Sequence, residues 1–186
     1  MTARRALFLD RDGVINIDHS YVHRPDQCEF VDGIFDMTRA FTERGYLPVI
    51  VTNQAGIGRG LYSEEDFQAF MAWMLDAFRK QNIEIAAVYH CPDHPTAGIG
   101  AYRRENDWRK PGPGMMLQAA KDLDLDLGGS WCVGDKMSDI EAARAAGVGT
   151  HILYEPGSAV AENKGDYWRV PRLVDVLIIL HGQNIR

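Results

Sequence analysis

The sequence predicts an α/β fold with a mainly parallel central sheet and helices on both of its faces. Three observations carry that expectation. Short apolar runs of strand length alternate with helical runs along the chain. The strand runs are apolar on consecutive residues, as strands buried on both faces are. Clusters of charged and amide residues follow several of the runs, where ligands of parallel sheets bind.

Residues 6–9 form the first apolar run and read as a buried strand. Ile34, Met37, Ala40 and Phe41 recur at helical spacing, with Asp32 placed to cap that helix and Gly45 to end it. Residues 47–51 are rich in β-branched side chains and read as the second strand. Gly56, Gly58 and Gly60 mark a loop, and their spacing is not the dinucleotide fingerprint. Ser63 and Asp66 have the spacing of a capping box before an amphipathic helix carrying Phe67, Phe70, Met71, Met74 and Phe78. Residues 85–89 read as the third strand, and residues 91–113 as a long loop with prolines and glycines. Pro113 suits the first turn of a helix bearing Met116, Leu117 and Ala120. Residues 131–133 read as the fourth strand, residues 139–146 as a helix ended by Gly147, residues 151–154 as the fifth strand, and residues 172–180 as a last helix.

At 186 residues the chain is expected to form one domain, residues 1–186, with a core that needs no disulfide support. Hydrophobic residues at 46% and charged residues at 25% exclude a disordered or fibrous chain. A net charge of −6 disfavours a nucleic-acid binder, so cations that meet an anion must be gathered locally. No apolar run is long enough to span a membrane, and the N-terminus lacks the apolar stretch of a secretory signal. Cys28, Cys91 and Cys132 are too few and too far apart for a disulfide framework, which makes a cytoplasmic setting the expectation.

Asp10-Arg11-Asp12 follows the first strand, Thr52-Asn53-Gln54 the second, and Gly134-Asp135-Lys136 the fourth; Arg109-Lys110 precedes a helix. A parallel sheet would bring these groups to one rim. Asp10, Asp12 and Asp135 offer oxygen ligands to a hard cation, Mg²⁺. A carboxylate nucleophile can form an aspartyl phosphate and divide hydrolysis into two easier steps. A second carboxyl two residues along could protonate the leaving oxygen and then activate water. Thr52 and Lys110 would hold the transferring phosphoryl oxygens. Any one of these short motifs alone is usually a turn; their joint order at strand ends is what argues for chemistry.

Together, Asp10-Arg11-Asp12-Gly13-Val14, Val51-Thr52-Asn53, Lys110-Pro111 and Gly134-Asp135-Lys136 with Asp139 resemble the four motifs of the haloacid dehalogenase superfamily phosphatases. The resemblance implies a three-layer, Rossmann-like fold of that superfamily. It makes Asp10 the nucleophile and Asp12 the acid/base. It assigns Mg²⁺ to Asp10, the backbone carbonyl of Asp12, and Asp135, and it gives Asp139 the ordering of a metal-bound water or of the lysine. The segments between the motifs hold too little for a cap domain, so an uncapped site is expected.

Residues 18–23, 52–57 and 109–111 narrow the resemblance to the heptose bisphosphate 7-phosphatases, with histidinol-phosphate phosphatases next to them. The narrower family implies a substrate site of Asp18, His19, Ser20, Tyr21, Thr52, Asn53, Gln54, Ala55, Arg109, Lys110 and Lys136. A bisphosphate needs a second cationic clamp, and the planar fork of Arg109 suits one. The expected partner is therefore a small sugar phosphate, with no nucleic acid and no membrane, acted on by a monomer in heptose and lipopolysaccharide precursor synthesis. A histidinol-phosphate phosphatase, a nucleic-acid end phosphatase and a retired phosphate-binding module are the alternatives.

One departure stands out. The resembling families carry a structural zinc held by a Cys-x-His and a Cys-x-Cys pair. Here the matched positions read Cys91-Pro92-Asp93 and Asn106-Asp107-Trp108. Only Cys91 survives as a ligand, and His90 and His94 flank it. Structural zinc needs four ligands, so no zinc is expected, and Tyr102 and Trp108 are expected to hold the loop by packing.

Overall fold

The protein is described here by a computed structural model covering residues 4–182; residues 1–3 and 183–186, which the one-domain expectation includes, lie outside the described residues. The strands are β1 (Arg5–Leu9), β2 (Tyr46–Asn53), β3 (Ala87–Cys91), β4 (Trp131–Gly134), β5 (Thr150–Tyr154), β6 (Glu162–Asn163) and β7 (Trp168–Val170). They form one sheet in the order β3-β2-β1-β4-β5-β7-β6. All pairings are parallel except that of β6 with β7. The helices are α1 (Ile34–Thr42), α2 (Ala55–Gly58), α3 (Glu64–Lys80), α4 (Gly114–Leu123), α5 (Met137–Ala146) and α6 (Asp175–Gly182).

The alternation of side chains along β1 divides the core. Leu7 and Leu9 pack with residues of α1, α3 and α6, whereas Ala6 and Phe8 pack with residues of α4 and α5. Helices therefore cover both faces and the three layers follow. Phe67, Phe70, Met71, Met74 and Phe78 line the buried stripe of α3. Each such fully buried side chain contributes roughly 2–3 kcal/mol relative to exposure. Ser63 and Asp66 close the expected capping box: Ser63 Oγ accepts from the Asp66 amide at 3.0 Å, and Asp66 Oδ2 from the Ser63 amide at 2.9 Å.

Several local expectations need correction. Asp32 does not cap α1; Gly33 does, at φ 81°, a left-handed conformation that glycine tolerates. The segment of Gly56 and Gly58 is one helical turn rather than an open loop. The third strand lies two residues later than expected, with Ile85 buried just before it. Pro113 occupies the cap position before α4 rather than its first turn, α5 begins at Met137 rather than Asp139, and the last helix begins at Asp175. The β6–β7 hairpin went unpredicted, because two- and three-residue polar strands leave no periodic signal.

The topology positions the site. From β1 the chain builds outward through β2 and β3, then returns to β4 on the other flank of β1. The order reverses between β1 and β4, which opens a crevice at the carboxyl ends of β1, β2 and β4.

Candidate active site

Asp10 is the first residue past β1, and its amide donates to Val133 O of the neighbouring β4 at 3.1 Å. The chain then turns tightly, with the amides of Ile15 and Asn16 donating to Arg11 O at 2.8 and 3.1 Å. Gly13 is required in this turn. Its φ is 94°, and a Cβ there would stand 2.2 Å from Asp135 Oδ2. The missing side chain lets the ends of β1 and β4 bring their carboxylates together.

Lys110 crosses to this point from the long loop. Its ammonium lies 2.9 Å from Asp10 Oδ1 and 2.7 Å from Asp139 Oδ1, and donates to Val51 O at 2.9 Å. Asn53 fixes the Lys110 backbone reciprocally: its Nδ2 donates to Lys110 O at 3.1 Å, and its Oδ1 accepts the Lys110 amide at 3.0 Å. Burial opposes the Lys110 charge, yet Asp10 and Asp139 together hold it above the usual lysine range. Burial, with Asp139 and Asp135 nearby, pushes Asp10 up to about 8 despite Lys110. Asp135 is raised too, first by burial.

Asp10 and Asp139 share one buried ammonium, and Asp135 beside them lies 3.7 Å from the exposed ammonium of Lys136. Oxygens of Asp10, Asp135 and Asp139 lie within 4.8 Å of one another. Asp135 Oδ1 is buried and has no hydrogen-bond partner among the described residues. An excess of hard anionic oxygens with one of them orphaned fits a magnesium ion. The carboxylate of Asp12 stands outside this group and points elsewhere. It accepts from Arg11 Nη2 at 2.9 and 2.8 Å, from Asn16 Nδ2 at 3.1 Å and from Gln54 Nε2 at 3.0 Å.

A cavity of about 580 Å³ opens over these groups. Its walls include Asp10, Asp12, Asp18, Ser20, Tyr21, Asn53, Gln54, Ala55, Arg109, Lys110 and Lys136, which are most of the residues the sequence pointed to. Thr52 is buried beneath, its Oγ1 accepting from Gln54 Nε2 at 2.8 Å. His19 turns away, towards Glu29 at 3.5 Å on the side of a separate hollow. Ser20 and Tyr21 take left-handed conformations at φ 64° and 56°, uncommon for residues with a side chain. Lys136 lies 3.4 Å from Asp18 Oδ2. Arg109 and Arg59 make no ion pair among the described residues; Arg109 Nη1 donates to Asp93 O at 3.3 Å, and Arg59 Nη1 to Tyr21 Oη at 2.8 Å. The cavity also takes in Tyr62 and Ser138. Sequence reasoning gave Tyr62 a role only as the end of the 56–62 loop expected to help set specificity, and gave Ser138, one letter inside the fourth motif, none.

The third loop carries its own polar lock. Asp93 is fully buried and its Oδ2 accepts from Arg104 Nε at 2.8 Å and from Asn106 Nδ2 at 2.5 Å. Tyr102 packs against the core, and Trp108 meets Tyr89 edge-on with ring centres 5.9 Å apart. His90 pairs with Glu64 at 2.9 Å, and His94 Nδ1 accepts the Ala97 amide at 3.0 Å. The Cys91 thiol is buried, which pushes its pKa up.

Comparison with known proteins agrees with this geometry. Residues 107–175 match the family described as HAD-hydrolase-like. The chain is 52% identical to the D-glycero-alpha-D-manno-heptose-1,7-bisphosphate 7-phosphatase of Burkholderia mallei, over 96% of this chain and 94% of that protein. It is 49% identical to the D-glycero-beta-D-manno-heptose-1,7-bisphosphate 7-phosphatase of Vibrio cholerae, over 86% of each. Among solved structures, the D,D-heptose 1.7-bisphosphate phosphatase of B. bronchiseptica complexed with magnesium and phosphate superposes with a TM-score of 0.79. The identity there is 28%, over 96% of this chain and 99% of that one.

Proposed function

The chain belongs to the heptose bisphosphate 7-phosphatase family of the haloacid dehalogenase superfamily, and from that membership we propose the reaction and its residues: a Mg²⁺-dependent phosphatase that removes the 7-phosphate of D-glycero-D-manno-heptose 1,7-bisphosphate through an aspartyl phosphate on Asp10. One observation carries the proposal. The cavity holds Asp10 against Lys110, with two further carboxylates beside them, and also exposes Arg109 and Lys136 on its walls. That is a reacting end and a cationic grip in one space, the arrangement a bisphosphate requires.

In this reading Asp10, the backbone carbonyl of Asp12, and Asp135 hold the magnesium, with Asp139 close by; the ion, when bound, offsets the negative charge of carboxylate and phosphate. A carboxylate oxygen of Asp10 bonds to phosphorus as the bond from phosphorus to the sugar oxygen breaks. Asp12 gives that oxygen its proton. Water then bonds to phosphorus, hands a proton to Asp12 and releases Asp10 with inorganic phosphate. Lys110 holds Asp10 and the phosphoryl oxygens throughout. Thr52 accepts from Gln54 and so keeps its own hydroxyl hydrogen for a phosphoryl oxygen. Arg109 and Lys136 grip the phosphate that does not react, with Asp18, Ser20, Tyr21, Asn53 and Ala55 along the sugar.

The proposal extends to one uncapped domain working as a monomer on a small substrate, without nucleic acid or membrane. It also takes in a cytoplasmic role in supplying heptose for lipopolysaccharide. The net charge of −6 disfavours a polyanionic partner such as nucleic acid, while Arg109, Lys110 and Lys136 line the cavity where a small phosphate would bind. No helix among the described residues is long and apolar enough to cross a membrane.

The test is a panel of both anomers of the heptose bisphosphate, fructose 1,6-bisphosphate, histidinol phosphate and an aryl phosphate. Arg109→Ala should reduce kcat/KM for the heptose bisphosphate by roughly a hundredfold and for the aryl phosphate by less than about threefold, because only the former carries a second phosphate to grip. Equal losses would assign Arg109 to the reacting group. Preference of the parent for histidinol phosphate would overturn the substrate.

A further inference from the structure

Gln54 is one of the residues the family resemblance gives to the substrate, yet its side chain is already fully engaged. It is 2% exposed. Its Nε2 donates to Asp12 Oδ2 at 3.0 Å and to Thr52 Oγ1 at 2.8 Å, while its Oε1 accepts from Tyr62 Oη at 2.5 Å. A side-chain amide has two N–H groups, and both are in use. A phosphate offers only acceptors, so this amide could bind one only by releasing Asp12 or Thr52.

The orientation of the amide is fixed as well. Reversing it would set Oε1 against the Asp12 carboxylate and leave Nε2 facing the Tyr62 hydroxyl. Tyr62 is 7% exposed, and burial pushes its phenol up to about 12, so it keeps its proton to donate. Its ring is seated by two contacts. It stacks on His23 with ring centres 4.6 Å apart at 7°, and it lies so close over Gly56 that a Cβ there would meet its Cε1 at 2.2 Å.

The other donors to Asp12, Arg11 and Asn16, come from its own turn. Among the described residues Gln54 is the only donor that reaches Asp12 from another strand end, and the same nitrogen grips Thr52 of β2. Arg11 and Asn16 set Asp12 within its loop. Gln54 sets it relative to Thr52 on β2, the hydroxyl assigned to the transferring phosphoryl group.

We propose that Gln54, aimed by Tyr62, is the positioning residue of Asp12 and serves the acid/base step rather than the grip on substrate. The inference rests on the phosphatase reading above, in which Asp12 supplies the leaving oxygen with a proton. A sugar oxygen needs that proton, whereas an activated aryl oxygen such as p-nitrophenolate departs without it. Loss of positioning therefore has a leaving-group signature that a general structural defect lacks.

The experiment measures kcat and KM for Asp12→Asn, Gln54→Leu and Tyr62→Phe on the heptose bisphosphate and on p-nitrophenyl phosphate. Hydrolysis of the aspartyl phosphate also uses Asp12 and is common to both substrates, so the split is read in kcat/KM, which ends at departure of the leaving group: Gln54→Leu is expected to lower kcat/KM on the sugar phosphate by about a hundredfold and on the aryl phosphate by less than about fivefold. Tyr62→Phe keeps the ring and removes only the hydroxyl, so it should show the same split at about tenfold even if Gln54→Leu folds poorly. Equal losses of kcat/KM on both substrates, or a raised KM with kcat intact, would overturn the proposal. Asp12→Asn separates the two levels. If it splits the substrates and the other two variants do not, this inference alone is wrong; if it does not split them, the acid/base reading of Asp12 falls and takes this inference with it.

Discussion

Asp10→Asn should reduce turnover by more than about a thousandfold, some 4 kcal/mol in the barrier, while the fold stays intact. The amide has the size of the carboxylate but neither its nucleophilicity nor its charge towards a metal. The fold has little reason to suffer. Lys110 keeps its contacts with Asp139 at 2.7 Å and Val51 O at 2.9 Å. The direction of the Asp10 shift sharpens this expectation. Its pKa rises from the model-peptide value of 3.8 to about 8 in the fold. The folded state thus binds a proton more tightly than the unfolded chain does. Between those two values stability falls as pH rises, because the ionised carboxylate is disfavoured where it sits. At neutral pH and without divalent cation, a neutral Asn should therefore leave the thermal midpoint no lower than that of the parent. Activity within about tenfold of the parent would remove Asp10 as nucleophile. A collapse of the thermal midpoint would mean that the loss of activity says nothing about chemistry.

What the sequence made legible follows from how each feature is encoded. The strands leading to the site are consecutive apolar residues, and the polar groups that end them are adjacent in sequence to those runs, so Asp10, Thr52 and Asp135 could be placed on one rim from spacing alone. Lys110 was placed by motif order, and its cross-chain pairing with Asn53 appears only once β2 and the long loop are in space. Gln54 shows the limit. Spacing puts it beside Thr52, but which atoms its amide faces depends on Tyr62 and Asp12, which arrive from other segments. His19 enters the site only through the resemblance, together with Asp18 and Ser20, and its side chain lies beside a separate hollow towards Glu29. The third loop was expected to rest on Tyr102 and Trp108. They do pack, yet the hydrogen bonds to the buried Asp93 join residues eleven and thirteen positions apart, a pairing with no local signature.

That pairing bears on the second large effect, which concerns metals. Chelation with EDTA should abolish activity, and Mg²⁺ alone should restore it, because hard oxygen sites exchange their ion readily. The same treatment should not unfold the third loop. Of the four positions that hold zinc in the resembling families, Asp93 and Asn106 are here bonded to each other at 2.5 Å. Trp108 has no ligand atom for the metal, and Cys91 is a buried thiol whose pKa is pushed up, first by burial. The neighbouring histidines are engaged elsewhere, His90 with Glu64 and His94 with the backbone of the loop. A protein–protein clip of this kind does not leave with a chelator, whereas a zinc clip does, and the loop fold with it. The thermal midpoint in EDTA should therefore fall only by the amount that Mg²⁺ restores. Asp93→Ala, by contrast, should lower stability by about 2 kcal/mol, since it strips Asn106 of its buried acceptor. About one zinc per chain after extensive dialysis would overturn this account; the metal would then take the unpartnered Oδ1 of Asp93 and recruit Cys91 with a histidine that has left its present partner.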